Sequence, residues 1–265
     1  MLLISPVWAK TKVRDIHESS VLVYNISQNR IEYSRNAQVQ RPIASVTKIM
    51  TAMITLDHDK DLGKTLRLST RVGSYLPVQN YNRWQLLQAM LVKSDNAAAE
   101  TLAADYPGGR EAFIRAMNAK ARSLRMPSTH FVDPSGLSRG NVSSAGDLNQ
   151  LLIAASGYDF IRRASIQKQA TFEVYYGQQI RRIELPNTNR SLLFEFDNIV
   201  VSKTGFTTPA GWCVGMVVEQ GRDVYVIVVL GSRTKALRYA TAKELMINHV
   251  PDRAIVDLDL EWRVE

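Results

Sequence analysis

Cysteine is almost missing from this chain: one residue in 265, which excludes an internal disulfide and any two-cysteine metal site. Cys213 lies in the apolar run 212–218 and reads as an inert core thiol. Histidine is scarce too. His17, His58, His130 and His249 fit neither a Ser-His-Asp order nor a zinc spacing, so they read as surface or packing residues and no metal is expected. Past the N-terminus no apolar run reaches the roughly 18 residues that a spanning helix needs. Repeats and low-complexity linkers are absent, so nothing argues for a second domain. An excess of 33 Lys+Arg over 25 Asp+Glu gives a net charge of +8, which favours polyanions in general. The basic residues are scattered in pairs such as Arg162-Arg163 and Arg181-Arg182, with no nucleic-acid motif, so a nucleic-acid partner is not expected.

What is present is a 45% hydrophobic composition, ample for a core. Leu2-Leu3-Ile4 and Val7-Trp8-Ala9, before the polar turn at Lys10, resemble the back half of a secretory signal cut after Ala9, without a basic n-region. The expected organisation is a signal remnant and leader (1–18), one domain (19–250) and a short acidic tail (251–265). Runs 20–26 and 30–34 predict an N-terminal hairpin. Apolar positions three and four apart predict helices over 45–56, 84–92, 97–106 and 110–124. Ser144 and Asp147 have capping-box spacing ahead of another helix. From Thr171 the period returns to two, predicting strands at 171–176, 179–184, 199–204, 211–219 and 224–230, then a helix over 234–248. Strands at both ends and helices between predict an α+β fold, one antiparallel sheet built from both termini and packed against a helical middle.

RPIASVTKIMTAM, residues 41–53, sets the chemical question, because a helix with a core-facing stripe carries Ser45 and, one turn on, Lys48. Ser-x-x-Lys alone is weak, occurring also at Ser165/Lys168 and Ser232/Lys235. Only Ser45 opens a strongly apolar helix; the other two pairs have surface contexts. Positions i and i+3 of a helix bring Cβ atoms within roughly 5–6 Å, so the amine can reach the hydroxyl. An ordinary lysine is neutral in only about one molecule in 2,500 at pH 7. Burial among Ile, Met and Val lowers its pKa, and a second cation pushes the same way. A buried Lys48 is therefore a proton acceptor for Ser45.

Two further segments complete the set. Ser94-Asp95-Asn96 falls in a break between helices and presents a second hydroxyl and an amide. Lys203-Thr204-Gly205 closes an apolar strand, with a cation for a carboxylate and a glycine that permits close approach.

These three segments, in this order, resemble the Ser-x-x-Lys, Ser-Asp-Asn and Lys-Thr-Gly set of penicillin-binding proteins and serine β-lactamases. RPIASVTKIMTAM, YPGG with AFIRAMNAKARSLRM, FVDPSGL with NVSSAGDL, and KTGFTTPAG narrow the likeness to the low-molecular-mass D-alanyl-D-alanine carboxypeptidase and endopeptidase family. Its branch of small periplasmic endopeptidases, the penicillin-binding protein 7 type, is nearest, and the resemblance runs from Ser19 to Leu230. It implies Ser45 as acylated nucleophile, Lys48 as general base and Ser94 as proton relay to the leaving amine. It also implies Asn96 on the acyl-donor peptide, Lys203 and Thr204 on the carboxylate beyond the scissile bond, and an oxyanion hole from the backbone N–H groups of Ser45 and Phe206. No cofactor is implied. Peptidoglycan peptides are the implied substrates, β-lactams the covalent inhibitors and the periplasm the location.

Between Ser94 and Lys203 no Glu is followed by Asn four residues on, the element with which class A β-lactamases activate the deacylating water, so a long-lived penicilloyl enzyme is expected. The chain after Gly205 suffices for two strands, a helix and a tail without a basic amphipathic face, so no membrane anchor is expected. That shortness favours an endopeptidase cutting D-alanyl-diaminopimelate cross-links. A carboxypeptidase on pentapeptide stems is the alternative reading, and a non-catalytic penicillin sensor or wall-binding protein a further one.

Overall fold

The computed structural model describes residues 19–68 and 73–250. The expected signal remnant and leader, His17 and the acidic tail lie outside the described residues. The chain opens with β1 (Ser20–Asn25) and β2 (Arg30–Arg35), passes through β3 (Arg41–Pro42) and a 3-10 turn (Ala44–Thr47), and enters α1 (Lys48–His58). Then come β4 (Thr65–Arg67), β5 (Asn80–Asn82), α2 (Arg83–Val92), α3 (Asn96–Ala104) and α4 (Gly109–Ser123). The short β6 (Val142–Ser143) precedes α5 (Ala145–Ser156) and α6 (Asp159–Ser165). The last part holds β7 (Gln169–Tyr176), β8 (Gln179–Pro186), α7 (Arg190–Glu195), β9 (Ile199–Thr207), β10 (Gly211–Gln220), β11 (Asp223–Ser232) and α8 (Lys235–His249).

One antiparallel sheet has the order β2-β1-β11-β10-β9, so both ends of the fold contribute to it. Successive side chains of a strand point to opposite faces. Leu22, Val201, Cys213, Val217, Val226 and Val228 join the core of the helical middle, with Leu148, Leu151 and Leu152 of α5. Val21, Val23, Val214, Met216, Ile227 and Val229 pack instead beneath Ala242, Leu245 and Met246 of α8. A sheet covered on both faces needs apolar residues at every position, which is why β10 and β11 read as unbroken apolar runs.

Several expectations shift. Strands β7 and β8 pair only with each other, outside the main sheet, because Ala170, Phe172 and Val174 bury themselves in the helical core. The helix expected from Ser45 starts with a 3-10 turn, and the α-helix proper starts at Lys48. Strand β9 runs through Lys203-Thr204-Gly205 to Thr207 rather than ending there. Ser144 does cap α5, accepting from Asp147 N at 3.0 Å. The Asp147 carboxylate does not reciprocate but takes Ser128 N and Thr129 Oγ1, both at 2.7 Å, tying the preceding loop to the helix. Among the described residues no helix is long and apolar enough to cross a membrane.

Candidate active site

Side chains at i and i+3 eclipse one another in a 3-10 turn, and the turn at 44–47 stacks Lys48 over Ser45. The Lys48 amine lies 3.0 Å from Ser45 Oγ, donates to Asn96 Oδ1 at 2.7 Å, and donates to the carbonyl of Ser135. Two of these partners are carbonyl oxygens, which only accept. A neutral amine has two N–H bonds and one lone pair, so satisfying both carbonyls leaves the lone pair for the Ser45 hydroxyl. Lys48 is fully buried. Burial pushes its pKa down to about 7, against the opposing pull of Asp133, Asp95 and Glu100.

Asn96 is placed by the break between α2 and α3. Asp95 caps α3 by accepting from Ala98 N at 2.8 Å, and its other oxygen takes Ser74 Oγ and Tyr75 N at 2.8 and 2.7 Å. Asn96 N reaches Gly73 O at 3.0 Å. The junction forces Ser94 into the left-handed region, φ +67°, unusual for a residue with a side chain and a mark of imposed geometry.

That backbone aims Ser94 Oγ at β9, where it accepts from Lys203 Nζ at 3.0 Å; the same amine donates to Thr204 O at 2.9 Å. Thr204 Oγ1 donates to Thr188 Oγ1 at 2.7 Å. Lys203, expected as a fixed positive charge, is buried, and its pKa falls well below the ordinary lysine value because of burial first, then the charges of Lys48 and Arg238. Arg238 on α8 is buried, its Nε has no hydrogen-bond partner among the described residues, and burial pushes its pKa down to about 10. Two buried basic groups repel each other here, with no carboxylate paired to either among the described residues.

Gly205 sits where β9 crosses the 3-10 turn. A Cβ there would stand 2.9 Å from both Ser45 N and Ile43 O, so only glycine lets the strand run this close. The next residue, Phe206, is half exposed and stacks on Trp212 with centroids 4.2 Å apart. The backbone of Gly205, the residue before Phe206, therefore meets that of Ser45 at one junction.

The structure brings Ser45, Lys48 and Asn96 into one cluster and Ser94, Lys203 and Thr204 into a second beside it. The other two Ser-x-x-Lys pairs form nothing comparable. Ser165 and Ser232 are buried rather than at the surface, and Lys168 and Lys235 are exposed. Ser165 Oγ accepts from Ser202 N at 3.2 Å, a packing role.

Sequence reasoning assigned no role to Arg238, Thr188 or the loop 131–141. Asp133 in that loop accepts from Ser135 N, Ser135 Oγ, Gly136 N and Ser138 N at 2.6–2.9 Å. Asn141 Nδ2 reaches Thr47 Oγ1 at 3.2 Å and Thr51 Oγ1 donates to Pro134 O at 2.6 Å, so the loop is laced to α1 around Lys48. The run Asp133-Pro134-Ser135-Gly136 was a legible turn signal; its contact with α1 was not. Gly136 has φ +83°, and a Cβ on it would fall 2.0 Å from Ala44 O.

The sequence model of the D-alanyl-D-alanine carboxypeptidase family, peptidase family S11, matches residues 8–234. A D-alanyl-D-alanine endopeptidase of Escherichia coli strain K12 is 37% identical over 241 residues, 87% of this chain and 76% of that protein. The Streptomyces K15 DD-transpeptidase superposes with a TM-score of 0.80 at 26% identity, covering 86% of this chain and 94% of that one. Penicillin-binding protein D2 from Listeria monocytogenes in its ampicillin-bound form gives 0.78 at 28%, covering 88% and 96%.

Proposed function

The chain belongs to the D-alanyl-D-alanine carboxypeptidase family, and from that membership we propose a serine DD-endopeptidase that opens peptidoglycan cross-links through an acyl-enzyme on Ser45. The observation that carries the reading is the Lys48 amine, buried, with pKa about 7, 3.0 Å from Ser45 Oγ. Near neutral pH a large fraction of molecules holds a free base beside the nucleophile.

Ser45 Oγ attacks the D-alanyl carbonyl while its proton passes to Lys48. The new ammonium is held by Asn96 Oδ1 and the Ser135 carbonyl. The oxyanion faces the backbone N–H groups of Ser45 and Phe206 at the Gly205 junction. Ser94, gripped by Lys203, returns the proton to the departing amine. Lys203, Thr204 and Arg238 receive the carboxylate next to the scissile amide, which both a D-alanyl-diaminopimelate cross-link and a terminal D-alanyl-D-alanine supply. Water then releases the acyl group. A β-lactam enters by the same attack, a step supported by the ampicillin-bound form of the similar Listeria protein. Since the substrate is wall material, the reading places the protein in the periplasm.

Purified cross-linked muropeptide dimer and pentapeptide monomer, supplied separately, test the assignment. Cleavage of the dimer is the expected outcome. Cleavage of monomer alone makes the protein a carboxypeptidase, and penicillin labelling without turnover of either makes it a sensor. Labelling that survives in Ser45→Ala overturns the nucleophile.

A further inference from the structure

Asn187-Thr188-Asn189 joins β8 to α7, and its two asparagines are buried. Asn187 Nδ2 donates to the carbonyls of Ser165 and Gln167 at 3.0 and 2.8 Å, and Asn187 Oδ1 accepts from Asn189 N at 2.8 Å. Asn189 Nδ2 donates to Ser202 Oγ at 2.9 Å, one residue before Lys203. Short amide side chains bonded to backbone and strand in this way fix a turn, and Thr188 between them is held in place.

That place lies between the two walls of the cleft. Thr188 N donates to Val92 O at 3.0 Å, two residues before Ser94. On its other side Thr188 Oγ1 accepts from Thr204 Oγ1 at 2.7 Å. Thr188 therefore joins the end of α2, which leads into Ser94, to the strand that carries Lys203 and Thr204.

The direction of the second bond matters. A hydroxyl has one hydrogen and two lone pairs. Here the Thr204 hydrogen is directed at Thr188, while the Thr188 hydroxyl donates to no acceptor among the described residues. A carboxylate only accepts, so to meet one Thr204 must turn its hydrogen outward, and Thr188 is then the group positioned to donate to Thr204 in return.

We infer that Thr188 is a positioning residue of the carboxylate subsite: its hydroxyl holds the Thr204 hydrogen in the free site and reverses on binding to donate to Thr204, giving a chain from Thr188 through Thr204 to the carboxylate. This rests on the peptidase reading above. Each bond in such a chain polarises the next, and its last member is a bond to an ionised acceptor. Valine has the shape of threonine without the hydroxyl, so it removes the returning donor and leaves the backbone bond to Val92 in place.

The test compares the parent protein with Thr188→Val and Thr188→Ser. Substrates are the cross-linked muropeptide dimer and the same dimer with a carboxamide in place of the carboxylate beside the scissile amide. Acylation is followed with benzylpenicillin and with its carboxyl methyl ester. Thr188→Val is expected to raise KM for the acid dimer roughly threefold to tenfold, the scale of one hydrogen bond, with kcat unchanged. Acylation by benzylpenicillin should slow by a similar factor. Parent and variant treat the carboxamide and the ester alike, and Thr188→Ser behaves as the parent does. Equal losses on acid and neutral ligands would make Thr188 a mere brace of the cleft and overturn the inference. So would parental behaviour of Thr188→Val on the acids, or a serine variant as impaired as the valine one. If the parent is acylated by benzylpenicillin yet cleaves no dimer, the endopeptidase reading fails by itself, and the acid-to-ester ratio of acylation rates still decides the role of Thr188.

Discussion

Lys203 Nζ and Ser94 Oγ, from the edge strand β9 and from a break between helices 109 positions apart in the chain, meet at 3.0 Å. On the proposed mechanism the contact would couple two steps: the group that receives the substrate carboxylate would also hold the hydroxyl that returns a proton to the leaving amine. Ser94→Ala is expected to slow turnover of peptide by about 10²–10³-fold, the scale of a lost proton relay. Binding of the carboxylate should suffer less, since Lys203 and Arg238 remain. Single-turnover acylation measured alongside substrate binding separates the two; an equal loss in both would remove the relay role.

The depressed pKa of Lys203 makes carboxylate binding a proton-linked event. Burial and the charges of Lys48 and Arg238 lower the pKa of the free amine, and a bound carboxylate would raise it. Between those two pKa values binding takes up a proton, so affinity should strengthen as pH falls. Calorimetry of a non-reactive D-amino-acid carboxylate ligand in buffers of different ionisation enthalpy should show net proton uptake, absent in Lys203→Met.

Acylation of Ser45 should rise with pH through an inflection near the pKa of Lys48, about 7, because only the neutral amine accepts the proton. Asp133 opposes the lowering of that pKa. Asp133→Asn removes a negative charge, so the ammonium becomes less favourable and the inflection moves to lower pH. Thr51→Val, which cuts the tether from Thr51 to Pro134 O without altering charge, should lower the rate and leave the inflection in place. Stopped-flow acylation by a chromogenic cephalosporin across pH distinguishes the two effects.

Lys48→Met should abolish acylation yet raise stability. The sign follows from linkage: the folded pKa of Lys48 lies below the unfolded value of roughly 10.4, so folding near neutral pH requires loss of a proton or burial of a charge. Its penalty is largest below the folded pKa and disappears as pH rises through the unfolded one. Replacement by a side chain of similar shape should therefore stabilise by about 2–4 kcal/mol at pH 7, with the gap closing toward pH 10. Denaturant melts of parent and variant at both pH values check this; a destabilised Lys48→Met would refute it.

Gly205→Ala puts a methyl 2.9 Å from Ser45 N and Ile43 O, both backbone atoms that cannot yield without moving the turn. Acylation is expected to fall by at least about 10²-fold, the scale of a lost oxyanion contact, while far-ultraviolet circular dichroism keeps the parental spectrum. Parental acylation would show that the junction has slack.

Local chemistry was enough to place most elements and to single out the residues that the structure gathers at the candidate site. The apolar stripe of α1, the breaks at 94–96 and 107–109, and the apolar runs of β10 and β11 depend on neighbours in sequence, so their periods were readable. So was the requirement that Lys48 be buried, because an exposed lysine is too seldom a base. The strand pair β7–β8 was recognised as two strands, but its separation from the main sheet depended on where Phe172 and Val174 found cover. Ser165 and Ser232 were misjudged as surface residues because polar flanks say nothing about what packs over them from elsewhere in the chain.

The sequence by itself determined which residues could do chemistry: a serine and a lysine one turn apart, a hydroxyl-acid-amide break, and a lysine followed by glycine on an apolar strand. Tertiary structure alone decided their electrical state and mutual aim. The Ser135 carbonyl on Lys48, the charge of Asp133, the repulsion between Lys203 and Arg238 and the crossing at Gly205 all join residues far apart in the chain. Burial and Coulomb interactions depend on distance through space, and no spacing along the sequence encodes that distance.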